Sequence, residues 1–97
     1  QATDIVLLDM RQVCSFADYF LICNAESNRQ MEAVGEEVDK QLTEQDNRLI
    51  HREGNTESGW LLLDFGAIIV HIFAPAQREF YQLDNLWSQA PVVVRIQ

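Results

Sequence analysis

The sequence predicts a single α/β domain, covering residues 1–97, in which helices pack on a mixed β-sheet. Short β-branched apolar runs are typical of buried strands, and one segment has apolar residues at helical spacing. Two further apolar runs that flank a glycine indicate a β-hairpin. With 97 residues, 47% of them hydrophobic, and only four Gly and two Pro, the chain suffices for one core and not for two.

The first two predicted strands lie early in the chain. Asp4 to Asp9 is a short apolar run bounded by acids, a pattern typical of a strand buried on both faces. Tyr19 to Cys23 repeats this form. Residues 11–18 mix small, polar and aromatic side chains, which favours a connection over a helix or strand.

An amphipathic helix is predicted to follow. Ser27 and Gln30 have the spacing of a capping box, so the helix should begin at Ser27. Gly35 lies beside the apolar stripe, where we expect it to allow close packing against the sheet. The stripe itself consists of Met31, Val34, Val38 and Leu42.

The strongest local signal is a hairpin in the second half of the chain. Trp60 to Phe65 and Ala67 to Phe73 flank Gly66, which fits two antiparallel strands joined by a tight turn over Asp64 to Ala67. Leu49 to Glu53 is a weaker strand candidate, followed by a polar loop over residues 54–59.

A second helix and a last strand complete the predicted domain. Pro75 suits the first turn of a helix and Pro91 stops it. Val92 to Ile96 is then predicted as an edge strand. The expected buried stripe of the helix is Phe80, Leu83 and Trp87.

Charge narrows the possible partners. Fifteen acidic and seven basic side chains give a net charge of −8, which disfavours direct binding to nucleic acid and favours a basic protein. The same acidity would also serve solubility alone. No run is long enough to cross a membrane and no leader is recognisable, so we expect a cytoplasmic protein without membrane contact.

The residues that could carry chemistry form no catalytic or metal-binding motif, so we expect no enzyme activity, cofactor or metal. The two cysteines have neither redox nor zinc spacing, and reduced thiols are expected. Acids at strand ends could meet in space, although such residues usually cap turns or face water. The residues considered are Cys14, Cys23, His51, His71 and the pairs Asp4 with Asp9 and Asp18 with Asp64.

One face of the predicted hairpin is a candidate docking surface. Alternation along the strand places Trp60, Leu62 and Asp64 on one face, and Trp is a favoured interface anchor. On this evidence alone, a core position is the more common role for such a Trp. On its own strand His71 alternates with Ile69 and Phe73, which favours a half-buried polar residue over a catalytic base.

Six co-linear segments resemble the ribosomal silencing factor (RsfS, Iojap; DUF143-like) family across nearly the whole chain. The leading helix of that family is expected to precede the first strand and is missing from this sequence. The segments are Asp4-Ile-Val-Leu-Leu-Asp9, Ser15-Phe-Ala-Asp-Tyr-Phe20, Ser27-Asn-Arg-Gln30, Gly59-Trp-Leu-Leu-Leu-Asp-Phe-Gly66, Val70-His-Ile-Phe73 and Arg78-Glu-Phe-Tyr-Gln-Leu-Asp-Asn-Leu-Trp87.

This resemblance implies a fold related to nucleotidyltransferases but without their catalytic carboxylates. It also implies binding to the large ribosomal subunit through ribosomal protein uL14. This binding would block subunit joining and repress translation in starvation. Carried over by position, the partner-binding residues would be Trp60, Leu62, Asp64, His71, Phe73, Glu79 and Tyr81.

Two alternatives remain open from the sequence. A metal-dependent enzyme related to nucleotidyltransferases would need a pair of metal-binding acids, and the family's Asp-x-Asp or Asp-x-Glu pattern is absent here. A homodimeric interaction module is the other, because an exposed apolar strand can pair with its own copy.

Overall fold

A computed structural model describes residues 2–81 and 88–97 of the chain, without the side chains of residues 80 and 81. This part of the chain forms a mixed sheet of six strands, in the order β3-β4-β5-β2-β1-β6, with two helices. The elements are β1 (Thr3–Asp9), β2 (Tyr19–Asn24), α1 (Asn28–Glu44), β3 (His51–Asn55), β4 (Trp60–Asp64), β5 (Ile68–Phe73), α2 (Pro75–Tyr81) and β6 (Val92–Ile96).

The sheet is mixed because its two central strands run parallel. β2 pairs with β5 in parallel, whereas every other neighbouring pair is antiparallel. The connection from β2 to β5 passes through α1 and the β3–β4 hairpin, since parallel strands need a long crossover. The predicted α/β domain with a mixed sheet is confirmed.

The predicted hairpin is formed by β4 and β5. Leu62 lies opposite His71, and Trp60 lies opposite Phe73. In the turn, the Asp64 carboxylate accepts a hydrogen bond of 2.7 Å from the Gly66 N–H, and Gly66 has a positive φ of 88°. Glycine adopts this left-handed conformation without the steric cost that a side chain would add, so the turn stays tight.

Helix α1 begins where the sequence predicts. Ser27 is the N-cap, and its hydroxyl accepts a hydrogen bond of 3.1 Å from the Gln30 N–H. The Gln30 side chain accepts from the N–H of Glu26 at 2.8 Å, one residue before the position that a regular capping box uses. Further along, a Cβ on Gly35 would lie 3.2 Å from a methyl carbon of Leu61, so the predicted close packing is confirmed.

The sheet separates two layers of buried side chains. On the α1 side, Met31 and Val34 of the helix pack with Leu61, Leu63 and other apolar residues of the central strands. On the opposite side, a second cluster is built from the other faces of β1, β2 and β5, with three residues from outside the strands. The alternation predicted for β4 is therefore confirmed, since its odd and even residues enter different clusters. The three residues from outside the strands are Met10, Ala17 and Ala90.

Two predicted strands differ from the structure. The β1 strand is not buried on both faces: Val6 and Leu8 are buried, but Ile5 and Leu7 are partly exposed. This follows from the position of α1, which packs mainly over β4 and β5. The third strand, predicted from residue 49 to residue 53, begins at residue 51 and extends to residue 55, into the predicted loop.

The start of the second helix and the last strand agree with the prediction, whereas residues 88–90, which precede Pro91, are not helical, contrary to the prediction. Helix α2 begins at Pro75, and β6 forms an edge of the sheet beside β1. The predicted contacts of Leu83 and Trp87 lie outside the described residues, as does the side chain of Phe80. Within the described chain, neither helix combines the length and the apolar composition needed to cross a bilayer.

Candidate partner-binding surface

The sheet face opposite α1 carries a cluster of aromatic and imidazole rings, of which Trp60 reaches the surface. The Trp60 and Phe73 rings are stacked with centroids 5.2 Å apart, and the His71 ring lies 5.9 Å from Trp60. Phe20 closes the cluster from β2, 4.9 Å from the His71 ring. These rings meet because cross-strand partners share one face of the pleated sheet.

A hydrogen bond fixes the Trp60 side chain within this cluster. The indole N–H of Trp60 donates to Nδ1 of His71 at 3.2 Å. Because a neutral imidazole has one donor and one acceptor nitrogen, His71 must carry its proton on Nε2. The polar atom of the indole is thus satisfied inside the domain, so the exposed part of the Trp60 side chain is apolar.

The His71 ring is held neutral by its surroundings. The residue is only 5% exposed, and burial lowers its pKa from 6.5 to about 4. Its Nε2 atom is buried and has no hydrogen-bond partner in the described part of the chain. The prediction of a half-buried residue was therefore wrong: His71 lies under the surface, with Phe73, which is fully buried.

Trp60 and Leu62 are the predicted site residues that reach the surface of this cluster. Both are partly exposed, and both pack against the buried layer that contains Phe20 and Phe73. The structure thus brings four predicted residues together, in two layers: Trp60 and Leu62 outside, His71 and Phe73 beneath them. Whether these residues touch a partner stays a prediction.

The other three predicted site residues lie apart from this cluster or outside the description. Asp64 is at the far end of β4, partly exposed, and its carboxylate is used by the turn. Glu79 is exposed on α2. Tyr81 ends that helix, but its side chain lies outside the described residues.

A pocket of about 250 Å³ opens beside Trp60 and was not predicted from the sequence. Its formation depends on β3, which pairs with β4 so that Glu53 lies opposite Leu62. The alternation of side chains along β3 is the signal that could have placed Glu53 on this face. The pocket is lined by Glu53, Gly54, Ser58, Trp60 and Leu62.

Two of the acids considered for catalysis, Asp4 and Asp9, lie close to arginine side chains. Asp9 forms an ion pair with Arg11 at 2.7 Å, and hydrogen bonds from Arg11 lower the pKa of this carboxyl to about 2. Asp4 lies 3.4 Å from the buried guanidinium of Arg78. Residues 2–81 and 88–97 contain no group of three His, Cys, Asp or Glu side chains arranged to hold a metal ion.

Comparison with known proteins identifies the family. The sequence profile described as RsfS, ribosomal silencing factor during starvation, matches residues 1–97 of the chain. The chain belongs to the ribosomal silencing factor family. The family resemblance that the six segments predicted is thereby confirmed. The members of this family are regulatory proteins associated with the ribosome.

Relatives within the family include bacterial and plastid proteins. The chain is 39% identical over 92 residues to ribosomal silencing factor RsfS of Bacillus subtilis, covering 95% of this chain and 78% of that protein. It is 34% identical to Protein Iojap, chloroplastic, of Zea mays over 93% of this chain and 39% of that protein.

A solved structure supports the fold. A crystal structure of a Chromobacterium violaceum protein matches with a TM-score of 0.84 and 31% identity, covering 91% of this chain and 73% of that one. The shared arrangement confirms the α/β fold of the family. The relation to nucleotidyltransferases stays a prediction.

Proposed function

We propose that this chain binds the large ribosomal subunit through ribosomal protein uL14 and sterically blocks the joining of the small subunit. Translation would then fall during starvation or stationary phase. Membership of the ribosomal silencing factor family supports this function. Occlusion of a surface needs only binding, so the proposal requires neither a catalytic group nor a cofactor.

The observation that carries the proposal is the layered surface at Trp60 and Leu62. Interface anchors are often aromatic side chains that are held rigidly and surrounded by a polar rim. Trp60 meets this description, because it is stacked on Phe73 and hydrogen-bonded to His71 before any partner arrives. A side chain that is already ordered loses little conformational entropy on binding.

The charge of the chain supports a ribosomal protein as the partner. A net charge of −8 attracts a surface that is rich in Lys and Arg, which raises the rate of encounter more than the final affinity. It also opposes contact with ribosomal RNA, whose phosphates are negative. The proposal therefore places the contact on protein and does not require direct binding to nucleic acid.

Co-sedimentation with large ribosomal subunits tests the proposed surface. We expect Trp60→Ala to weaken binding by about 30-fold, since truncating an interface anchor typically costs about 2 kcal/mol. Gln41→Ala is the control, because Gln41 is exposed on α1, on the other side of the sheet. Circular dichroism of both variants checks that they remain folded.

The proposed mechanism has its own readout. Wild-type protein added to purified subunits should reduce the yield of joined ribosomes in a sucrose gradient, and Trp60→Ala should restore that yield. Folded Trp60→Ala protein that binds uL14 and blocks joining as well as wild type would refute the proposed surface. Alanine variants of Asp64, Glu79 and Tyr81 would then show which other predicted residues contribute.

A second candidate, self-association, is supported by the exposed edge strand. Four apolar side chains on β6 are more than 40% exposed, and an edge strand presents unpaired backbone groups to another chain. Light scattering over a range of concentrations tests this: Val94→Lys should shift any dimer toward monomer. A mass that stays monomeric at every concentration would exclude the homodimer. The four residues are Val92, Val93, Val94 and Ile96.

A further inference from the structure

We propose that the pocket beside Trp60 receives the cationic end of a single lysine or arginine side chain from the partner protein. This inference rests on the proposed function, because it assigns a subsite within the same binding surface. It adds a residue, Glu53, that neither the sequence patterns nor the family resemblance pointed to. The shape, the wall chemistry and the hydrogen-bonding capacity of the pocket support it.

The shape of the pocket suits the end of one long side chain. Its volume of about 250 Å³ leaves room for one ammonium or guanidinium group and the methylene groups next to it. Gly54 allows the close β3–β4 pairing that forms this pocket: it has a positive φ of 79°, and a Cβ there would overlap the backbone carbonyl oxygen of Trp60. No other residue could occupy this position without moving the β3–β4 pair that forms the pocket.

The side-chain groups that remain available in the pocket accept hydrogen bonds. The Trp60 N–H is already donated to His71, and the Ser58 hydroxyl donates to the Asn55 carbonyl oxygen at 2.8 Å. The Glu53 carboxylate can only accept. A guest that donates several hydrogen bonds therefore fits, and ammonium and guanidinium groups have three and five donors.

The walls of the pocket suit the rest of such a side chain. Trp60 and Leu62 present apolar surface, along which the methylene groups of Lys or Arg can pack while the charge stays near water. An anionic guest would be repelled by Glu53, and an apolar guest would remove water from its carboxylate without replacing the lost hydrogen bonds. The methylene groups of lysine and arginine suit the apolar walls, and their charged ends suit the Glu53 carboxylate.

His51 is the group that already contacts Glu53, and it leaves room for a guest. The Nε2 atom of His51 lies 3.0 Å from Oε2 of Glu53, but both side chains are more than half exposed. An exposed contact of this kind contributes little. A carboxylate has about four lone-pair positions on its two oxygens, so a second donor can bind beside His51.

Calorimetric titration of the full chain with recombinant uL14 tests the subsite. Glu53→Gln should raise Kd about fivefold at low ionic strength. This corresponds to about 1 kcal/mol, the upper end of what an exposed charge pair contributes. The change should also reduce the dependence of Kd on salt. Glu36→Gln is the matched control: Glu36 is exposed on α1, on the other side of the sheet, and its change alters the net charge equally. We expect the control to keep Kd within about twofold of wild type.

A double-mutant cycle then identifies the guest. Each Lys or Arg of uL14 is changed to Met in turn, and one of these changes should weaken wild type about fivefold but leave Glu53→Gln unaffected. Glu53→Lys alone should lose binding. Combining it with uL14 in which that basic residue is changed to Glu, which exchanges the two charges, should recover it.

The outcomes separate this inference from the proposed function. If Trp60→Ala weakens binding as expected while Glu53→Gln behaves like Glu36→Gln, the surface is correct and the cation subsite is wrong. If uL14 binds Trp60→Ala as tightly as wild type, the proposed surface fails and the subsite fails with it. Coupling between Glu53 and one basic residue, together with charge-exchange rescue, supports both.

Discussion

The buried imidazole of His71 should make the stability of the domain depend on pH. In the folded state burial holds its pKa at about 4, whereas in the unfolded chain the pKa should return to the ordinary value of 6.5. Between these values the unfolded chain binds a proton that the folded domain does not. His71 therefore does not reduce the free energy of unfolding above pH 6.5. It reduces this free energy progressively as the pH falls from 6.5 toward 4.

The size of this effect follows from the difference between the folded and unfolded pKa values. A tenfold change in proton affinity corresponds to about 1.36 kcal/mol, so lowering the pKa from 6.5 to about 4 represents a loss of roughly 3 kcal/mol. That is a large part of the roughly 5–15 kcal/mol that stabilises a typical small domain. Among the described residues, the rings that contact His71 are those of Phe20, Trp60 and Phe73. None of these carries a charge that would offset this loss of stability.

Urea unfolding at about pH 7 and about pH 5 measures this loss. Wild type should lose about 2 kcal/mol between these conditions through His71. His71→Phe should lose correspondingly less, because it has no group to titrate at this position. Equal pH dependence in wild type and His71→Phe, or an NMR titration of the His71 ring near pH 6.5, would refute the reasoning.

Three further predictions concern local structure. Gly54→Ala should lower the free energy of unfolding by about 2 kcal/mol or more in urea, because its Cβ would overlap the Trp60 carbonyl oxygen at a positive φ; an unchanged midpoint would contradict this. Ser27→Ala should cost about 1 kcal/mol in the same assay through loss of the cap on the Gln30 N–H, whereas Ser27→Asn should retain most of it. Burial raises the pKa of the Cys23 thiol to about 11, so a thiol reagent should label it only on unfolding; rapid labelling of the folded protein would disprove its burial.

Local signals account for the elements that the sequence predicted correctly. The cap at Ser27 and the turn at Gly66 each depend on residues a few positions apart, so their chemistry is visible in the sequence. The period-two alternation of β4 likewise separates its two faces without knowledge of the partners. These signals suffice for the hairpin, helix α1 and the face that carries Trp60.

The incorrect predictions have a common physical origin in packing between distant segments. An apolar run such as β1 indicates burial, but which of its faces is covered depends on where α1 lies. His71 was predicted to be half-buried for the same reason, because the rings that cover it come from β2 and β4. Glu53 was missed as a site residue because only the pairing of β3 with β4 brings it beside Leu62.

Patterns along the chain were enough to establish the family, the secondary-structure elements with the clearest local signals and the candidate face of the hairpin. Only the folded arrangement shows that Trp60 lies over buried His71 and Phe73, and that a pocket with an acidic edge opens beside it. The physical reason is that spacing along the chain sets which face a side chain takes. Burial, hydrogen-bond partners and pocket shape are set by residues that pairing brings together from other strands.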